Sequence, residues 1–207
     1  MMKIYTYPKS RSIRVTWTAE LLELEYECIF FDVMNKNENN PSITMKVPAL
    51  VDGDLVLFES SAICTYLSEK YGSNLLSPIN IDEKAVVSQW LAFIISELES
   101  PLWTILKHSI FLPESKKVVD IIPIAKEDYL SSIEVLSCAL NENIYIANNK
   151  FSIADIFLFQ TTQWALNLGF KIPQNVITHH DSLKSSPAYL KAVAKENETF
   201  KANTANN

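Results

Sequence analysis

The alternation of apolar and polar positions is short-period at the start of the chain and helical afterwards. Lys3 to Tyr7 is a β-branched and aromatic run closed by Pro8, the composition of a strand that stops at a turn. From Ser12 onward Ile13, Trp17, Leu21 and Leu24 recur every three or four residues and draw one buried helical stripe. Tyr26 to Val33 reads as a second strand, followed by a polar, turn-rich connection from Asn35 to Asn40. Val47 to Val51 and Leu55 to Phe58 are two further apolar runs joined by Asp52-Gly53-Asp54, a strong hairpin signal. Ser60 or Ser61 can cap a helix carrying Ile63, Tyr66, Leu67 and Tyr71 on one face, with Gly72 as its left-handed stop. The opening order is β-α-β-β-β-α.

Residues 73–81 read as a linker, and beyond them helical periodicity takes over. Asp82 is placed to cap a long helix reaching about His108, with Trp90, Ile94, Leu98 and Ile105 on its buried side and Pro101 bending it. Pro113 ends it. A second helix spans roughly 115–140, where Pro123 implies either a kink or a late start. Ser152-Ile-Ala-Asp155 has the layout of a capping box and opens an apolar helix through about Leu168. A short terminal helix is expected over Pro187 to Ala194, with frayed residues from Lys201 onward. This gives an α/β domain over 1–78 and an all-α domain over 82–207.

Composition narrows the chemistry. With 207 residues, 48% of them hydrophobic, the chain can bury a substantial core. A net charge of -6 without a basic cluster argues against nucleic acid or an anionic membrane as partner. No run approaches the ~20 apolar residues of a membrane span, and no secretion signal opens the chain, so a cytoplasmic location is expected. Cys28, Cys64 and Cys138 lie far apart in apolar segments and read as reduced core thiols. Only Gly53, Gly72 and Gly169 are present, far from one another, which excludes nucleotide loops built on clustered glycines. His108, His179 and His180 give no metal-ligand spacing, so neither a metal nor a nucleotide is expected.

Two motifs go further. Val47-Pro48-Ala-Leu-Val-Asp-Gly-Asp-Leu-Val-Leu-Phe-Glu59-Ser60-Ser-Ala-Ile resembles the glutathione-site signature of the cytosolic glutathione transferases. Phe151-Ser-Ile-Ala-Asp-Ile156 is similar to the capped core helix of that family's C-terminal domain. Pro8-Lys-Ser10-Arg-Ser-Ile-Arg14 resembles the bacterial-type, serine-using members, whose serine precedes a matching arginine by four or five residues. The resemblance implies a thioredoxin-like N-terminal domain (βαβ-ββα), a helical-bundle C-terminal domain, a homodimer, and glutathione as co-substrate in a detoxifying conjugation to a small electrophile.

It also implies roles for particular residues. Pro48 would be cis and turn the Val47 backbone outward to pair with the cysteinyl unit of glutathione. Ser60 would meet the γ-glutamyl carboxylate at a helix N-terminus, and Glu59 the ammonium group beside it. Lys46 and Lys36 are candidates for the glycine carboxylate. Ser10 is the candidate hydroxyl for the thiolate, with Tyr7 and Ser12 as alternatives and Tyr5 a further hydroxyl in the segment; the absence of cysteine there argues against mixed-disulfide chemistry. Trp103, Leu106, Ile110 and Trp164 are candidate walls of an apolar pocket between the domains. Two positions depart from the family pattern. Met45 stands where glycine is common two residues before Val-Pro, and Asn148 replaces a glycine before Phe151. The competing readings are a glutathione-dependent isomerase, peroxidase or dehalogenase, and a non-catalytic binding or assembly module on the same fold.

Overall fold

The computed structural model describes residues 1–33, 40–72 and 76–204. Its compact units are Met1–Pro78 together with the segment from Leu183 onward, and Ile79–Ser182. This grouping differs from the expected division into 1–78 and 82–207, because the final helix packs against the first helix and the second strand.

In the first unit β1 (Met2–Thr6), β2 (Tyr26–Phe30), β3 (Ala49–Asp52) and β4 (Leu55–Phe58) form a four-stranded sheet in the order β2-β1-β3-β4. β1 and β2 are parallel and joined through α1 (Ser12–Leu21), while β3 runs antiparallel to both β1 and β4. With α2 (Ser60–Tyr71) the arrangement is the expected thioredoxin-like one. α1 is buried over Ser12–Glu20, including Arg14, so its two sides are both covered. One covering element is α8 (Pro187–Thr204), longer than the short helix expected from Pro187 to Ala194. Trp17 packs on Tyr189 with ring centroids 5.0 Å apart. The Glu20 carboxylate collects Lys191 at 2.6 Å, the Tyr26 hydroxyl at 2.8 Å and Lys195 at 3.3 Å. Burial alone would raise the Glu20 pKa, but these donors outweigh it and hold the carboxyl below its ordinary value.

Gly72 ends α2 without a positive φ: it sits at φ -80°, contrary to the left-handed stop expected. Its requirement for glycine is close approach, since a Cβ there would run into the Ser68 carbonyl oxygen.

The second unit is helical. α3 (Ile81–Phe93) is capped by Asn80 and not by Asp82: the Asn80 side-chain oxygen accepts the Asp82 amide at 2.8 Å, and Asp82 supplies first-turn negative charge. The rod then widens into π-turns over Ile94–Glu99, continues as α4 (Ser100–Leu106), and widens again over Lys107–Phe111. Pro101 falls just after the first wide stretch, where the missing amide and ring bulk are absorbed by the altered bonding. Of the expected buried side, Ile94, Leu98 and Ile105 are buried and Trp90 is only half-buried. α5 (Ile121–Leu140) starts late, which places Pro123 in its first turn, where a proline is tolerated. Cys138 on this helix is exposed, unlike the core thiol expected, whereas Cys64 of the first unit is buried.

α6 (Ile153–Asn167) opens on the expected capping box. The Ser152 amide donates to Asp155 Oδ2 at 2.9 Å, and Asp155 Oδ1 also receives the Ile146 amide and His179 Nε2, both at 3.0 Å. Asn148, at φ 55°, takes the left-handed conformation that a glycine would take, and its amide nitrogen donates to the Glu83 carbonyl at 3.0 Å. α7 (Gln174–Lys184), in which the division between the units falls, is a helix the sequence reading did not resolve. Among the described residues no helix is long and apolar enough to cross a membrane.

Candidate functional site

The register of the sheet decides what comes together in the first unit. Tyr5 of β1 lies opposite Ala49 of β3, and Ala49 lies opposite Phe58 of β4. The segments beyond those residues therefore emerge at one end of the sheet: Tyr7–Ser12 leaving β1, Val47–Pro48 entering β3, and Glu59–Ser60 leaving β4. Three separate motifs share one edge.

The turn after β1 is a network of hydroxyls. Lys9 takes φ 63°, which reverses the chain and brings the Ser10 amide to the Tyr7 carbonyl at 3.2 Å. Ser10 Oγ accepts the Ser12 amide at 3.1 Å and lies 2.9 Å from Ser12 Oγ. Ser12 Oγ donates to the Tyr7 carbonyl at 3.0 Å and accepts the Tyr7 amide at 3.2 Å. The two serines thus differ. Ser12 is fully buried and locks the turn, while Ser10 is half-buried, at the start of α1, and keeps one face open. The Tyr7 ring packs against Phe30 at 5.8 Å and Phe200 at 6.3 Å between centroids. These ring contacts turn Tyr7 toward an apolar neighbourhood.

Before β3 the Val47–Pro48 peptide bond is cis, and among the described residues no backbone bond engages the Val47 amide or carbonyl. Lys46 is exposed, and its carbonyl accepts the Asn40 amide nitrogen at 2.9 Å. Met45 adopts φ 50°, so the turn keeps the left-handed geometry of a glycine without having one, and its amide still reaches the Ser42 carbonyl at 3.0 Å. Lys36 lies outside the described residues.

After β4, Glu59 takes φ 68° and ψ 116°, a conformation that costs roughly 1–3 kcal/mol and persists where surrounding structure imposes it. Glu59, and not Ser60 or Ser61, is the N-cap of α2, with no side-chain capping bond. Its carboxylate is exposed at the helix N-terminus. Ser60 is buried as the first helical residue, and its Oγ accepts Arg14 Nη1 at 3.4 Å. A buried guanidinium and a set of first-turn amides therefore converge at this end of α2, giving it positive character. Arg14 had been read only as part of a motif. Its place on a stripe with apolar neighbours was the available signal that it turns inward.

Cysteine chemistry has poor support in this unit. Burial pushes the Cys64 thiol up to about 12 and raises that of Cys28, and a thiol held protonated is a weak nucleophile.

In the second unit Trp103 and Trp164 face each other at 6.4 Å between ring centroids, and Phe111 joins Trp103 at 5.5 Å. Both tryptophans are half-buried and Phe111 is exposed. Phe111 was not among the expected wall residues; Leu106 is half-buried and Ile110 exposed.

Residues 1–69 match the family model described as glutathione S-transferase, N-terminal domain. The chain is 30% identical to glutathione S-transferase F14 of Arabidopsis thaliana over 84% of its own length and 75% of that protein's. It belongs to the glutathione S-transferase family. A second member, glutathione S-transferase 2 of Anopheles gambiae, is 30% identical over 82% of this chain and 83% of its own. Among solved structures, the glutathione transferase URE2P5 of Phanerochaete chrysosporium superposes with a TM-score of 0.83 at 22% identity, covering 98% and 97% of the two chains, which establishes the shared fold. A glutathione transferase homolog from Lodderomyces elongisporus, solved with two GSH per subunit, gives a TM-score of 0.80 at 25% identity over 93% and 97%. The bacterial affinity expected from the serine motif is not specific, since the relatives at 30% are from a plant and an insect. As a glutathione S-transferase, the chain has its motif residues at the sheet end where Tyr5, Ala49 and Phe58 align.

Proposed function

We propose that this transferase binds glutathione at the sheet end formed by Ser10, Val47 and Glu59–Ser60, ionises its thiol at Ser10, and conjugates it to small apolar electrophiles. The observation that carries this reading is the register that aligns Tyr5, Ala49 and Phe58 and so gathers the three motif segments. The open amide and carbonyl of Val47 are suited to pair with a peptide backbone as an added strand would. The N-terminus of α2, backed by Arg14 at Ser60, suits the γ-glutamyl carboxylate, and exposed Glu59 the neighbouring ammonium group. Lys46 is the cation assigned to the glycine carboxylate.

The chemical demand is modest. A thiol with pKa ~8.5 is only a few per cent ionised at neutral pH. Lowering it by ~2 units requires ~2.7 kcal/mol of preferential thiolate stabilisation. One hydrogen bond from Ser10 to a charged sulfur contributes roughly 1.5–3 kcal/mol, helped by the N-terminus of α1. The thiolate then attacks the electrophile, for which Trp103, Trp164 and Phe111 offer an apolar aromatic surface. A homodimer is part of the same proposal, supported by the exposed Leu55, Val56 and Phe58 on edge strand β4.

The deciding experiment is the ultraviolet absorbance of glutathione thiolate on the protein, followed across pH. We expect a band that titrates well below the free thiol. Binding without such a band would sink the catalytic reading and favour a binding module.

A further inference from the structure

Behind Ser10 lies an acid that the fold buries and the conjugation chemistry above leaves unused. Ala192, Glu196 and Phe200 share one face of α8, and this face packs on α1 and β2. Glu196 is only 3% exposed. Thr16 Oγ1 donates to its Oε1 at 2.9 Å, and the Ser12 hydroxyl is its second hydrogen-bond partner. α1 therefore presents two neutral hydroxyls to the carboxyl. The titratable groups around it are Tyr26 and Cys28 from β2 and Tyr189 from its own helix. Burial pushes the Glu196 pKa up to about 7, against the lowering effect of Thr16 and Ser12. An acid in that range can exchange a proton with a thiol at neutral pH.

Hydroxyl valence gives the contacts a direction. Ser12 Oγ has one proton and two lone pairs. With Glu196 ionised, that proton has two acceptors, the Tyr7 carbonyl at 3.0 Å and the carboxylate, while the lone pairs receive the Tyr7 amide and the Ser10 hydroxyl. Ser10 then points its proton inward, at Ser12, and not at a sulfur. Its own lone pairs receive the Ser12 amide and leave one position open. A thiol S–H is the donor that fits there.

We propose that Glu196 is the terminal proton acceptor of a two-hydroxyl relay, taking the glutathione thiol proton through Ser10 and Ser12 as the thiolate forms. The proposal rests on the reading that Ser10 faces the thiol. In the step the S–H bond breaks and its proton joins Ser10 Oγ. The Ser10 proton passes to Ser12 Oγ, and the Ser12 proton passes to the Glu196 carboxylate. No electron is lost or gained, and one negative charge moves from Glu196 to sulfur. Afterwards Ser12 donates to Ser10, and Ser10 donates to the thiolate. Glu196 is a positioning residue in this scheme: it touches no reacting atom and sets which way the hydroxyls point.

The test counts protons. The holoprotein is mixed with glutathione at roughly pH 7.5 in weak buffer with an indicator dye, and thiolate is read by its ultraviolet band. A thiol that ionises into solvent releases about one proton per thiolate, and one that ionises into Glu196 releases much less. We expect wild type to release less than about half a proton per thiolate, and Glu196→Gln to release close to one. Difference infrared spectra of wild type should show a protonated carboxylic acid appearing with the thiolate, absent in Glu196→Gln. Thr16→Val removes one hydrogen bond to the carboxylate and raises its pKa, so the low-release window should begin at higher pH. Equal release by wild type and Glu196→Gln, with a thiolate band in both, overturns the relay and leaves the Ser10 reading intact. If Glu196→Gln does not fold, an unchanged onset in Thr16→Val overturns it instead. Absence of the band in wild type overturns both readings together.

Discussion

The sheet end of the first unit and the aromatic face of the second use opposite means. At the sheet end, position is set by backbone: a cis Val47–Pro48 bond, positive φ at Lys9, Met45 and Glu59, and hydroxyls fixed by amides. At the aromatic face, Trp103, Trp164 and Phe111 touch through rings with no hydrogen bond dictating the arrangement. A polar site needs particular residues at particular places, because a buried donor or acceptor left without its partner costs about 1–3 kcal/mol. An apolar face tolerates exchange of one large side chain for another with much smaller penalties. The contrast suits a protein with one invariant ligand and a variable second one.

Substitutions should separate the two regions. The largest effect is expected from Ser10→Ala, which removes the hydrogen bond to sulfur: kcat/KM should fall about 10- to 100-fold with little change in glutathione affinity. Full retention of activity would reassign the role to Tyr7. Ser60→Ala should instead weaken glutathione binding about tenfold by calorimetry and leave the pH dependence of the bound thiol in place. Trp103→Ala should raise KM for a bulky apolar electrophile several-fold and spare glutathione affinity. A loss of glutathione binding in that variant would break the separation between the regions.

The smallest effect concerns a support of the sheet end. Asp52 Oδ2, at the end of β3, receives the Tyr66 hydroxyl at 2.7 Å and Lys70 and Tyr71 at 2.8 Å each. The hydrogen bond from Lys70 and those from the two tyrosines depress its pKa from 3.8 to about 2. A depressed acid stabilises the fold above its unfolded pKa and loses that contribution as pH falls through the folded value. Thermal midpoints of wild type and Asp52→Asn should differ by only a few degrees near neutrality, since a largely solvated pair is worth less than ~1 kcal/mol. They should converge as the pH drops from about 4 to about 2.

Much of the first unit was legible because its signals are local. Asp52-Gly53 announced the hairpin, Pro48 before an apolar run and Glu59-Ser60 after one marked the turns, and Ser152 with Asp155 marked a helix start. The pieces that escaped depend on distant partners. Nothing near Glu196 in sequence indicates that Thr16, 180 residues away, would hydrogen-bond it. Arg14 is a surface residue by composition and is buried because α1 is covered on both sides. Phe111 escaped because it lies past a π-turn, which shifts the helical phase that the periodicity assumes. Cys138 was misplaced for a related reason: an apolar neighbourhood along the chain does not say which side of α5 faces out.

The return of residues from Leu183 onward to the first unit has a consequence during synthesis. At ribosomal speeds of roughly 5–20 residues per second, the helix that covers α1 emerges on the order of ten seconds after Pro78. Through that interval the nascent first unit has its sheet and α2 but not the lysines of α8 that neutralise Glu20, nor the aromatic cover over Trp17. The helical residues 79–182 are made complete in the meantime. The segment with the ligand motifs is translated first and closed last, so a nascent chain stalled before residue 183 would expose α1 to chaperones.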